Sequence, residues 1–187
     1  MSGATPNASA LKSWVEKGGI LITCKSATRW ASSNGLAHLN IKSKKSSKNT
    51  QRKSYLNAAN ETGAQFVGGA IFETQLDLGH PIAYGYSNNK LPIFKRSVMA
   101  VEHTKNPYAN PVVYNNMPLL SGYISTPNQK YMSNSSAIVV SGVGRGKTIS
   151  FVDNPNFRGF WLGTNKLFAN AVFFGQIIDR RTVSTSK

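Results

Sequence analysis

The chain has 187 residues, 40% of them apolar, which is enough for one domain with a modest core. Twenty-two Lys and Arg face seven acids, giving +15, and there is no run of 18 apolar residues, which excludes a membrane-spanning helix. The first nine residues lack the basic start and apolar centre of a signal peptide, and the single Cys24 excludes an internal disulfide and a thiolate zinc cluster.

Leu11, Trp14 and Val15 sit at i, i+3 and i+4, the stripe of a short amphipathic helix. Asn7 or Ser9 caps its start and Gly18-Gly19 stops it. Ile20 to Cys24 then reads as a short buried strand, and Ser26 to Ser33 as a second helix with Ala27, Trp30 and Ala31 on one face. Helix, Gly-Gly and apolar strand predict an αβ unit of a parallel sheet.

Residues 42–53 read Lys-Ser-Lys-Lys-Ser-Ser-Lys-Asn-Thr-Gln-Arg-Lys and hold six of the cations. The run has no acid, no large apolar residue and no periodicity, so it reads as a solvated loop. Such charge also attracts polyanions, namely nucleic acid, acidic polysaccharide or anionic lipid.

Beyond it, Ala70 to Leu76 alternates as a strand and Leu78-Gly79-His80-Pro81 is a turn. Ile82 to Tyr86, Leu91 to Lys95 and Val98 to Glu102 are short strand candidates, and 106–111 is a proline-locked loop. Ala137 to Ser141 and Lys147 to Val152 flank a glycine-rich hairpin. A final helix runs from Thr164 or Asn165 to Ile178. Leu167, Ala171, Phe174 and Ile178 form its stripe, and Phe168 and Val172 widen it.

Gly142 to Thr148, G-V-G-R-G-K-T, looks like a phosphate-binding P-loop, but one residue is missing from the spacing and a strand follows where a helix is needed. The three histidines, His38, His80 and His103, form no paired metal spacing, so no metal or cofactor is expected. Cys24-Lys25-Ser26-Ala27-Thr28 falls between strand and helix, where a nucleophile elbow sits. Ser26 takes the nucleophile slot and Cys24 lies two residues early. Cys24 and Thr28 replace the elbow's glycines, and no late His-x-Glu pair supplies a base, which speaks against catalysis by either residue. Asp153 follows a strand, where α/β folds place ligand contacts. With Arg158 and Trp161 it makes a candidate loop for stacking on a sugar or peptide. The plainer reading tucks these aromatics into the core.

The string from Asp153 to Gly175, D-N-P-N-F-R-G-F-W-L-G-T-N-K-L-F-A-N-A-V-F-F-G, is the most specific wording in the chain. It resembles the end of the glutamine-amidotransferase-like domain that follows the catalytic domain in bacterial zinc carboxypeptidases of the carboxypeptidase A type. Residues 11–22, 70–72, 76–86, 106–111 and 118–125 extend the similarity over most of the chain outside the basic run.

The resemblance implies an α/β domain, flavodoxin-like and class I amidotransferase-like. It would have three layers and a mostly parallel sheet with β-hairpin additions, incomplete at its front by about two βα units. Residues 1–40 would be the remnant αβ unit, 41–62 a basic flexible insertion, 63–182 the remainder of the domain and 183–187 a tail. It also implies a non-catalytic accessory domain in a secreted or periplasmic parent. Its partner would be a zinc peptidase domain whose metal motif is absent from this sequence. The rival readings are a polyanion-binding module working through 42–53 and a residual hydrolase using the degenerate elbow.

Overall fold

A computed structural model describes residues 6–43, 52 and 54–185. It contains helices α1 (Pro6–Glu16), α2 (Ser26–Ser33), α3 (Ala58–Gly63), α4 (Thr126–Met132) and α5 (Asn165–Phe174). The strands are β1 (Ile20–Cys24), β2 (Ala70–Leu76), β3 (Lys90–Lys95), β4 (Val112–Gly122), β5 (Ser136–Val143) and β6 (Gly146–Phe151). They form one mixed six-stranded sheet in the order β1-β6-β5-β4-β2-β3, curled into a half-barrel.

The fold is α/β, but the expected mostly parallel sheet is not what forms. Among the described strands only β1 and β6 pair in parallel, with Ile20 opposite Lys147 and Cys24 opposite Phe151. The β2–β3, β2–β4, β4–β5 and β5–β6 pairs are antiparallel. The physical reason is the connections. The Gly144-Arg145 loop turns β5 straight into β6, with Gly144 at φ +58° as its first central residue. A parallel neighbour needs a crossover of a dozen or more residues instead.

The parallel edge is covered on both faces, as such strands require. Side chains alternate across a strand. Leu21 packs with Val15 of α1, Ala31 of α2, Leu36 and Val143 on one face. Ile20, Ile22 and Cys24 pack into the main core with Ile149, Leu167 and Ala171 on the other. That core continues beneath the antiparallel half through Phe72, Ile93, Tyr114 and Ile138.

Two strand candidates take other forms. Residues 81–83 are a short 3-10 turn, capped by the His80 ring nitrogen accepting from the Ile82 amide at 3.1 Å. Around residues 98–102 only Val101 makes bridges, to Ile41 and Ser136. Helix α5 ends at Phe174 and continues as a 3-10 turn, Gly175–Ile177. Val183 and Ser184, expected as tail, lie buried against β5, where the Ser184 amide donates to the Val140 carbonyl at 2.9 Å. Most of the basic run 42–53 lies outside the described residues.

Candidate functional site

The junction from β1 to α2 has the strained form of a nucleophile elbow, but its register differs from expectation. Lys25 carries the strain, at φ 54° and ψ −122°. A side chain in that region costs about 1–3 kcal/mol. The residue at the apex is therefore Lys25, with Ser26 one step later as an exposed first residue of the helix. The Lys25 amide donates to the Phe151 carbonyl at 3.0 Å, tying the turn to the end of β6.

The positions flanking the apex hold hydroxyls. Thr28 is fully buried and donates to the same Phe151 carbonyl at 2.8 Å. Thr23 hydrogen-bonds Thr28 at 3.1 Å and Ser150 at 3.3 Å. These bonds satisfy buried groups, and among the described residues no side chain hydrogen-bonds Ser26. Burial pushes the Cys24 thiol up to about 11, so little thiolate exists near neutral pH. Among the described residues no group of three His, Cys, Asp or Glu is placed to hold a metal ion.

Asp153 is 6% exposed and lies at the centre of a buried polar network. Lys95, fully buried on β3, places its ammonium 2.8 Å from Asp153 Oδ2. The Tyr114 hydroxyl donates to the same oxygen at 2.6 Å, and Ser97 Oγ donates to Oδ1 at 3.4 Å. A second partner for Lys95 is the Met99 carbonyl at 2.9 Å. Tyr114 titrates well above the ordinary tyrosine value, because burial disfavours the phenolate and Asp153 already supplies negative charge. Both carboxylate oxygens are thus engaged inside the protein.

The loop beyond Asp153 faces outward. Phe157 stacks on Phe94 of β3 with centroids 4.1 Å apart, and Trp161 lies 6.2 Å from the same ring. Phe160 meets Phe157 edge-on at 5.8 Å and is 61% exposed. Arg158, at φ 52°, and Arg96 bring their guanidinium groups to 5.4 Å and 6.0 Å from the Phe157 ring. The Trp161 indole N–H is buried without a partner. Of the three loop residues singled out from sequence, Arg158 and Trp161 sit together beside Phe157, while Asp153 points into the network below.

Lys95 and Tyr114 escaped the sequence reading. Their signal was present in the period of two: Leu91, Ile93 and Lys95 share one face of β3, and Val112 and Tyr114 share one face of β4. The cation at the end of that stripe reads as surface unless a buried acid is known to meet it.

No family model matches the sequence, and no curated protein and no solved structure matches it.

Proposed function

We propose that the chain is a non-catalytic accessory domain, amidotransferase-like in ancestry, that supports a zinc carboxypeptidase-type catalytic domain. The observation that carries this reading is the outer face of α5. Leu167 and Ala171 are buried against the sheet, yet Val172 is 55% and Phe173 77% exposed, with Ile177 just beyond at 60%. Phe174 meets Tyr84 edge-on at 5.7 Å and extends the surface. A helix that is apolar on both sides is normally covered on both, and contiguous exposed apolar surface marks an interaction site. The resemblance of residues 153–175 to the peptidase-associated domains is what points this reading to that partner. The elbow supports an inactive role, because its apex carries an amine in place of a hydroxyl or thiol and, among the described residues, no base is hydrogen-bonded to Ser26 beside it.

The test is association with a zinc carboxypeptidase catalytic domain of that type, measured by sedimentation. The Phe173→Glu/Ile177→Glu double variant should fold with wild-type stability to within about 0.5 kcal/mol, since both side chains are exposed. It should lose the association. Unchanged association would overturn the reading, as would a robust hydrolase activity abolished by Ser26→Ala.

A second reading, polyanion binding through residues 42–53, is favoured by the +15 charge. It requires retention on heparin that falls steeply with salt and disappears when Lys44, Lys45, Lys48, Arg52 and Lys53 are changed to Gln.

A further inference from the structure

The glycine-rich hairpin that fails as a P-loop lines a cationic cleft. Two cavities adjoin where α1, the β5–β6 hairpin and residues 178–185 meet. The first, about 330 Å³, is walled by Lys12, His38, Lys147 and Arg180, with Glu16 as its one acid. Its backbone wall is Gly142, Gly144 and Gly146, and none of these has room for a side chain, Gly142 being closed off by Val183 Cγ2 at 2.6 Å. A Cβ on Gly144 would meet the Glu16 backbone at 2.8 Å, and one on Gly146 the Val15 carbonyl at 2.0 Å. The second cavity, about 790 Å³, shares His38 and Arg180 and adds His103, Lys105 and Arg181 with no acid in its wall.

The cations of the cleft repel one another. Burial first, and then Arg180, pulls the Lys147 ammonium below its usual range, with Asp179 opposing. Burial pulls His38 down, a hydrogen bond to the Gly142 backbone opposes it, and Lys12 adds a smaller lowering. Beside the cleft, Asp179 is already paired with Arg181 at 2.6 Å. Lys147 is held in place by the Gly175 and Gln176 carbonyls at 3.3 Å and 3.0 Å. Arg180 is anchored by one N–H on the Gly144 carbonyl at 2.9 Å, and a guanidinium has four further donors. The result is a pre-positioned, concave site with surplus positive charge, which focuses anions.

We propose that this cleft binds a small ligand carrying two linked anionic groups of the diphosphate type. One group sits against Lys12, Lys147 and Arg180, the other against the N–H groups of Arg181 that Asp179 leaves open, with His38 between them. This site is separate from the α5 face, so its failure leaves the accessory-domain reading untouched. The proposed site uses none of residues 42–53.

The probe is inorganic pyrophosphate, titrated calorimetrically into the full chain, with orthophosphate as the single-group control. We expect one site per chain and at least about tenfold tighter binding of pyrophosphate than of orthophosphate. Arg180→Gln and Lys12→Gln should each weaken binding about tenfold without loss of the folded circular-dichroism spectrum. Neutralising Lys44, Lys45, Lys48, Arg52 and Lys53 should leave the affinity within about twofold at 0.15 M salt, where separated surface charges are screened. Amide shifts on pyrophosphate addition should fall on residues 142–147 and 180–185 and not on 157–162. The proposal is overturned by any of four results: no saturable binding, equal affinity for the two anions, insensitivity to both single variants, or binding of heparin without binding of pyrophosphate.

Discussion

Lys95 and Asp153 form a buried ion pair, 2.8 Å apart, that clamps the end of β6 to β3 across the sheet. Tyr114 donates to the same carboxylate oxygen from β4, so three strands converge on one acid. Removing the carboxylate alone leaves an uncompensated ammonium in the core. Asp153→Asn should therefore destabilise the protein by about 3–5 kcal/mol in urea unfolding. Adding Lys95→Met should recover much of the loss, because it removes the stranded charge. A loss below about 1 kcal/mol for the single variant would show that the pair is not buried in solution.

Lys25 offers the opposite sign. Its backbone, at φ 54°, suits glycine, and its side chain has no capping hydrogen bond. Relief of about 1–3 kcal/mol of strain is set against about 0.5–1 kcal/mol of extra chain entropy for Gly. Lys25→Gly should raise the melting temperature by about 2–4 °C, while Lys25→Ala should not. A lower melting temperature for the Gly variant would mean that the lysine side chain stabilises the turn.

His80 gives the protein an acid-sensitive point. It is 6% exposed, and burial lowers its pKa to about 4, with Asp77 opposing. The folded form keeps the ring neutral while an unfolded histidine protonates below about 6.5. Stability from this residue is thus present above pH 6.5 and is lost as pH falls toward 4. At pH 5 the loss is about 2 kcal/mol. His80→Asn retains an acceptor for the Ile82 amide but does not titrate. Urea unfolding at pH 7.5 and pH 5 should show a gap about 2 kcal/mol smaller in the variant, and an equal gap would clear His80 of the role.

Gly146 is fixed by contact with backbone rather than by its own dihedral angles. A Cβ there would lie 2.0 Å from the Val15 carbonyl and 2.3 Å from that of Gly19. Neither neighbour can rotate away. Gly146→Ala should separate the hairpin from α1 and cost about 3 kcal/mol or more, an overpacking penalty at the upper end of its range. A thermal melt close to wild type would show that α1 moves freely against the hairpin.

The N-terminal third was legible because its signals agree. The apolar stripe of α1, the Gly18-Gly19 stop and the run Ile20–Cys24 all point to one arrangement, and β1 and α2 form with the expected bounds. Extending that parallel pattern to the whole sheet failed, because β4 was not visible. Asn115, Asn116 and Pro118 interrupt its alternation, and its pairing with β2 shifts register between Phe72 and Thr74. A bulged strand of this kind is stabilised by its neighbours rather than by its own pattern. At the elbow the residue types were legible but not the register. Which of Cys24, Lys25 and Ser26 takes the apex depends on where β1 stops pairing with β6. Asp153 stands out in sequence as a candidate ligand contact after a strand, whereas its burial depends on Lys95, which lies far away in sequence.

The parallel pairing of β1 with β6 also bears on how the chain reaches its native form. Thr23 and Ser150, hydrogen-bonded across that pair, are 127 positions apart. The β2–β3 and β5–β6 pairs, by contrast, join neighbours in sequence. Closing the long loop costs its entropy before any contact repays it. The antiparallel half is therefore expected to assemble first, with the unit of α1, β1 and α2 closing onto it last. By the same reasoning that unit opens first, carrying with it one wall of the cationic cleft.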